Sequence, residues 1–263
     1  VAARRVIFPI PRNPISLARY RAAHRILAIS DCVARNVIAS GVPAERVVVV
    51  REGIEIPPPL PPARRIAARS LWQLADDEIA LGCVGVLAPQ KGQELLVRAL
   101  PEICAVAPRV RLLLAGEGPL RPRLESLAAQ LGVGERVVFA GFVEGIADVY
   151  AALDAFVFPA LEDGSGTSLL SAMAAGLPVA AVARGGVPEY LEDDVNGLLI
   201  PEPEPQAIAS AVTRLIADAD LRRRLGARAR ADIAERYSTG VMVDHLLRAC
   251  AEASEARTRE ARG

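Results

Sequence analysis

Ala155-Phe-Val-Phe-Pro-Ala-Leu-Glu-Asp-Gly-Ser-Gly-Thr-Ser-Leu-Leu-Ser-Ala-Met-Ala-Ala-Gly-Leu-Pro-Val-Ala-Ala-Val182 reads as strand, glycine loop, helix and strand again. Its outer runs, Ala155–Phe158 and Pro178–Val182, are short and apolar, as strands buried on both faces are. Between them a helical pattern starts near Thr167, directly after Glu162-Asp163-Gly164-Ser165-Gly166. Two glycines let a backbone approach a ligand closely, and a helix start offers free N–H groups beside it. Such a pairing is a ready anion site. Thr167 and Ser168 are placed either to cap that helix or to donate to phosphate oxygens. Glu162 and Asp163 have a plainer use as a capping pair at the helix start.

The same alternation extends in both directions. Further strand candidates are Ile79–Leu87, Val110–Ala115, Arg136–Ala140 and Gly197–Ile200, with helical patterns between them such as Leu120, Leu124, Leu127, Ala128 and Leu131. Repeated β and α segments imply an α/β fold whose parallel sheet is covered on both faces. From Pro205 three helical segments run to about Glu255, and the polar end Ser254–Gly263 is expected to fray. Toward the N-terminus lie a helical candidate at Leu17–Ala23, strands at Arg25–Ser30 and Arg46–Val50, and a helix at Asp31–Ala39. Pro57-Pro-Pro-Leu-Pro-Pro62 holds five prolines in six residues, too many for a helix interior or central strand. It reads as a semi-rigid linker that divides the chain.

In a parallel sheet the loops leaving the strand C-termini share one edge, where open α/β sheets bind ligands. Those loops carry Lys91-Gly92, Gly116-Glu117-Gly118, Phe142-Val143-Glu144-Gly145 and Glu162–Ser168. Lys91 stands out because the other thirty of the 31 basic side chains are arginine. Lysine is a slim point charge, suited to a confined phosphate site where arginine is a planar fork. Gly116-Glu117-Gly118 alone is explained equally well by a tight strand-to-helix turn.

Bulk properties remove several classes. Formal net charge is zero, which gives no electrostatic footprint for nucleic acid. The four cysteines form no CxxC pair, and Cys83 and Cys104 read as small core residues. No uncharged apolar run is long enough to span a bilayer. No convincing cluster of metal ligands is present. The chain opens at Val1 in mid-pattern, as a fragment with its beginning missing would.

Taken together, Gly85-Val86-Leu87 with Lys91-Gly92, Ala115-Gly-Glu-Gly-Pro119, Val138-Phe-Ala-Gly-Phe142, Asp163–Val179, Gly185-Gly-Val-Pro-Glu189 and Asn196-Gly-Leu-Leu-Ile200 resemble the donor half of a GT-B fold retaining glycosyltransferase of family 4 (glycosyl transferases group 1). Arg4–Pro9, Ala28–Ser30 and Val47–Gly53 continue the resemblance, which covers nearly the whole chain in order. It implies two Rossmann-like domains across a cleft. Residues 1–51 would be the last part of the acceptor-side domain, 52–63 the linker and 64–234 the nucleotide-sugar donor domain. Residues 235–263 would form a terminal helix crossing back to the acceptor domain.

The chemistry implied is transfer of a glycosyl unit from a nucleoside-diphosphate sugar, with retention, to a glycan or lipid-linked acceptor. It uses no cofactor and no metal. It would place the protein in the cytoplasm, with peripheral contact at the inner face of the membrane left open, in the building of cell-surface polysaccharide or lipopolysaccharide. Lys91 and Asp163 take the catalytic positions. Val86, Gly92, Glu117, Phe142, Val143, Glu162, Gly164, Ser165, Gly166, Thr167, Ser168 and Ser171 take donor-binding ones.

Two positions depart from the family pattern. A basic residue usually follows the glycine of the first loop, and here it is Val86. The family also carries two carboxylates with seven residues between them. The first falls on Asp163, shorter than the usual glutamate. The second falls on Ser171, which can hydrogen-bond a ribose hydroxyl but cannot offer a charge-assisted pair. A nucleotide-sugar-binding relative that has lost turnover is therefore the alternative reading. A GT-B-type nucleotide-sugar epimerase ranks below it.

Overall fold

The structure, a computed structural model, describes residues 1–8, 10, 15, 18, 20 and 22–260. Two parallel sheets lie on either side of the proline-rich stretch. The first is β1 (Ala2–Arg4), β2 (Ile26–Ala28) and β3 (Val47–Val49), in that order. Helix α1 (Asp31–Ala39) connects β2 to β3 and buries Val33, Ala34 and Val37 against Ile26, Ala28, Ile29 and Val42. Strand β1 was not among the sequence expectations: three residues carry too little pattern to be read. The helix expected at Leu17–Ala23 falls on a stretch where Leu17, Arg19 and Arg21 lie outside the described residues.

The second sheet has six parallel strands in the order β6-β5-β4-β7-β8-β9. These are β4 (Ile79–Val84), β5 (Val110–Ala115), β6 (Val137–Gly141), β7 (Ala155–Phe158), β8 (Val179–Val182) and β9 (Leu198–Ile200). The expected strand Ile79–Leu87 stops at Val84, because Gly85 takes φ +154° and leaves the sheet. Alternation of side chains divides the core in two. On β5, Leu112 and Leu114 enter one cluster, with α3 (Gln93–Val106), α4 (Arg121–Gln130) and α7 (Pro205–Ala217). Leu113 and Ala115 enter the other, with α5 (Ile146–Ala152), α6 (Thr167–Ala174) and α8 (Ala219–Arg236).

Strand order sets the position of the site. From β4 the chain moves outward through β5 to β6, then returns to β7 and continues outward through β8 to β9. The neighbours β4 and β7 therefore flank a topological switch point, where loops leave in opposite directions and open a crevice.

Helix α2 (Pro62–Leu71) begins at Pro62, since a first helical position needs no N–H and favours the proline φ. The linker is pinned by Arg230 of α8, which donates to the Pro57 carbonyl at 2.5 Å and to the Ala174 carbonyl at 2.6 Å. Helix α9 (Thr239–Glu260) starts against the linker's beginning: Ile54 pairs with Ser238, and the Thr239 amide donates to the Ile54 carbonyl. The tail expected to fray is helical through Glu260, in keeping with its alanine, glutamate and arginine content, and 261–263 lie outside the described residues. No helix among the described residues is long and apolar enough to cross a membrane.

Candidate active site

The switch-point loops are packed backbone on backbone. A Cβ at Gly116 (φ +140°) would stand 2.0 Å from the Gly85 carbonyl oxygen, and one at Gly118 2.4 Å from that of Leu87. The Gly116-Glu117-Gly118 pair therefore serves the contact between two loops, and Glu117 itself pairs with Arg121 at 3.1 Å. Gly85 differs: a Cβ there would meet nothing within 4 Å, so its backbone opens onto free space. Val86 beside it is 56% exposed.

A short turn at Pro89–Lys91 ends in Gly92, whose left-handed φ of +69° starts α3. At Gly92 a side chain would stand 2.0 Å from the Pro159 carbonyl oxygen, so only glycine lets the β4 loop lie on the end of β7. The amides of Leu161 and Glu162 then both donate to the Gln90 carbonyl, at 2.9 and 3.2 Å. This stitching carries Lys91 to Asp163, and the Lys91 ammonium is paired with Asp163 Oδ2. The two side chains are 28% and 14% exposed, a partly buried pair that solvent still reaches.

Asp163 does a second job. Its Oδ1 accepts from the amides of Gly166 at 2.7 Å and Ser165 at 3.2 Å, closing the loop before α6. No side chain caps α6, whose N-cap is Gly166, and Asp163 closes the loop in front of it. Thr167 Oγ1 instead meets Ser165 Oγ at 3.2 Å, and the Ser168 carbonyl accepts from the Tyr150 hydroxyl at 3.0 Å. The first i−4 bond of α6 runs from Leu170 to Gly166, so the amides of Thr167, Ser168 and Leu169 point out of the helix start. The loop's glycines are explained by protein contacts. Gly164 admits the backbone of Arg5 at 3.3 Å from a would-be Cβ, and Gly166 (φ +63°) admits the Tyr190 hydroxyl.

Lys91, Gly92, Asp163, Gly164, Ser165, Gly166 and Thr167 are therefore brought together, with Val86 and the 75% exposed Phe142 on the same edge. Val143 is partly buried against the core cluster of α5 and α6. Ser171 lies one turn along α6, where its hydroxyl donates to the Thr167 carbonyl at 2.9 Å. It borders a cavity of about 590 Å³ between α5, α6 and the linker, walled by Pro57–Pro61, Tyr150 and Leu177.

Sequence reading assigned no role to Gln93, Glu189 or Tyr190. Gln93 is 1% exposed and donates through Nε2 to the Val86 carbonyl at 2.9 Å, fixing the open loop from beneath. Tyr190 donates to the Ser165 carbonyl at 2.6 Å. Burial, followed by the charges of Asp163 and Glu189, pushes its phenol well above the usual range, so it remains a donor. The available signal was the Gly185-Gly186 pair just before them, which marks close backbone approach. Burial likewise pushes the Cys83 thiol up to about 12, against the opposing charge of Lys91.

Two parallel α/β units meeting at a switch-point crevice, with an ammonium and a helix start at its base, define the GT-B class of fold. The chain matches the family Glycosyl transferases group 1 over residues 65–232, and it belongs to that family. It is 37% identical over 201 residues to an uncharacterized glycosyltransferase of Methanocaldococcus jannaschii, covering 74% of this chain and 51% of the relative. It is 32% identical over 264 residues to a D-inositol 3-phosphate glycosyltransferase of Stackebrandtia nassauensis, covering 93% and 59%. Among solved structures, HepE of Anabaena in complex with UDP-glucose superposes with a TM-score of 0.83 at 25% identity, covering 92% of this chain and 66% of that one. The chain thus spans just over half the length of these two curated relatives.

Proposed function

We propose that the six-stranded unit binds a nucleoside-diphosphate sugar and serves its transfer, with retention at the anomeric carbon, to a glycan or glycolipid hydroxyl. The observation that carries this reading is the Lys91 ammonium, held by Asp163 before the start of α6, on the sheet edge that also carries the open backbone of Gly85. As the sugar–phosphate C–O bond breaks, its electron pair goes to the diphosphate. The acceptor hydroxyl oxygen forms the new bond to the anomeric carbon, and its proton goes to the departing diphosphate. Lys91 and the amides of Thr167 and Ser168 are fixed before that charge appears, and losing one such donor typically costs about 100-fold or more. Asp163 keeps Lys91 in place and shapes the loop. Neither a cofactor nor a metal enters this reading.

In the same reading residues 64–234 are the donor domain, 1–51 the acceptor side, 52–63 the linker, and 235–263 the segment that crosses back. The UDP-glucose bound by HepE supports a uridine-type donor, and the inositol phosphate glycosyltransferase relative supports a hydroxyl-bearing acceptor. Action in the cytoplasm, at the inner face of the membrane where lipid-linked acceptors are presented, fits this chemistry.

A second reading, a nucleotide-sugar-binding relative with little turnover, is favoured by one observation. Ser171 is uncharged and its hydroxyl already has a partner in the protein, the Thr167 carbonyl at 2.9 Å, so it offers a nucleotide no charge-assisted bond. The two readings separate on incubation with UDP-glucose or GDP-mannose and a panel of glycosyl acceptors. Release of nucleoside diphosphate with an α-configured product by proton NMR supports transfer with retention. An inverted product overturns it, and saturable binding without release selects the second reading.

A further inference from the structure

Glu189 ends the turn Val187–Glu189 of the six-stranded unit, yet its carboxylate is used by the three-stranded one. Oε2 accepts from the Asp31 amide at 2.8 Å and Oε1 from the Cys32 amide at 2.7 Å. These are the first amides of α1, which find no partner within the helix. A carboxylate there also meets the positive end of the helix dipole. Arg51 lies 3.7 Å from Oε2 and is paired with Asp31, so the first unit supplies a cation as well. Helix α1 does not need this help to start, because Ser30 Oγ already accepts from the Val33 amide at 3.2 Å. Ser30 leaves the Asp31 and Cys32 amides to the carboxylate, which in accepting from them ties the two units together.

The same segment is fastened to the loop that carries Asp163. The Gly186 amide donates to the Asp163 carbonyl at 3.3 Å. Side chains at Gly185 and Gly186 would stand 2.0 Å from the Asp163 carbonyl oxygen and 2.5 Å from that of Gly164. Tyr190 holds the Ser165 carbonyl, and Tyr237 holds the Glu189 carbonyl at 3.0 Å. We propose that Glu189 is a positioning residue: by gripping the start of α1 it sets the Asp163–Gly166 loop, and through Asp163 the ammonium of Lys91. Contact between the two units is thereby coupled to the readiness of the phosphate site, a consequence that rests on the donor-site reading above.

The test alters the first unit and reads the second. Asp31→Pro deletes one of the two amides that donate to Glu189, leaving that of Cys32, and proline suits a first helical position that follows the extended Ser30 (φ −155°, ψ 163°). Asp31→Ala loses the same side chain but keeps the amide. Hydrogen exchange of 163–168 and titration with UDP and GDP are followed in both variants, in Glu189→Gln and in the unaltered chain. Asp31→Pro and Glu189→Gln are expected to speed exchange at 163–168 and weaken nucleotide binding by about fivefold, with Asp31→Ala near the unaltered chain. Exchange and affinity equal in Asp31→Pro and Asp31→Ala, with any change confined to 31–35, would overturn the proposal. If the unaltered chain binds neither nucleotide, the donor-site reading falls, and exchange at 163–168 alone still decides the coupling.

Discussion

The ammonium of Lys91 and the carboxylate of Asp163, 72 positions apart in sequence, form an ion pair across the switch point between β4 and β7. The same carboxylate closes the loop in front of α6 through the Ser165 and Gly166 amides. One side chain thus fixes both positive elements of the crevice, the ammonium and the helix start.

Removing that side chain should cost more than neutralising it. Asp163→Ala deletes the Oδ1 acceptor of two loop amides and is expected to lower stability by about 1–3 kcal/mol, the usual range for donors left unpaired. Asp163→Asn keeps an oxygen in the same place and should cost less than half as much. Urea unfolding of the two variants measures this, and equal losses would show that the loop does not depend on Oδ1.

Gly116 is under a harder constraint. An alanine there must accept φ +140° and a Cβ 2.0 Å from the Gly85 carbonyl oxygen, with no flexible side chain to yield. The expected loss is about 3 kcal/mol or more, equivalent to a fall in Tm of about 6–12 °C. Gly132→Ala, also at positive φ but in open space, is the comparison, and should lose far less.

Much of this was legible in the sequence. Asp31–Ala39, Val110–Ala115 and Ala155–Phe158 form as read, because their apolar periodicity is unbroken and caps or turns bound them. Lys91 and Asp163 could be placed on one edge because parallel strands send their loops the same way. What could not be read is what depends on pairs distant in sequence. The carboxylate of Glu189 serves α1 across 158 positions, and Gly164 and Gly166 answer to Arg5 and Tyr190 rather than to a ligand. A glycine in sequence declares that something comes close, not what it is. The arginines of α8 show the same gap: Arg222 caps the end of α7 through the Leu215 and Ile216 carbonyls, and Arg230 pins the linker.

Cys83 should be silent toward alkylation. With its thiol raised from 9.0 to about 12 by burial, essentially no thiolate forms at pH 8, whereas Cys250 is exposed. Iodoacetamide followed by peptide mass mapping should label Cys250 and spare Cys83 until the chain unfolds. The linkage has a definite sign. Above pH 9 the unfolded chain releases this proton and the folded one retains it, so the contribution of Cys83 to stability falls from pH 9 toward 12. Replacing Cys83 with alanine should remove that part of the alkaline decline.

Ser171 offers a gain of function. A carboxylate placed there by Ser171→Glu would provide charge-assisted acceptance of ribose hydroxyls, which the present hydroxyl cannot. About tenfold tighter binding of a nucleoside diphosphate is expected, with little change for inorganic diphosphate, which has no ribose. Equal tightening of both would place the effect elsewhere.

The central claim is that Lys91 receives a nucleotide diphosphate, and calorimetric titration of the chain with UDP, GDP and ADP, beside Lys91→Ala, tests it most directly. Saturable binding of one nucleotide, weakened about tenfold or more in the variant while thermal unfolding is unchanged, is the predicted result. Binding of equal strength in both proteins, or no binding by the folded chain, would contradict it.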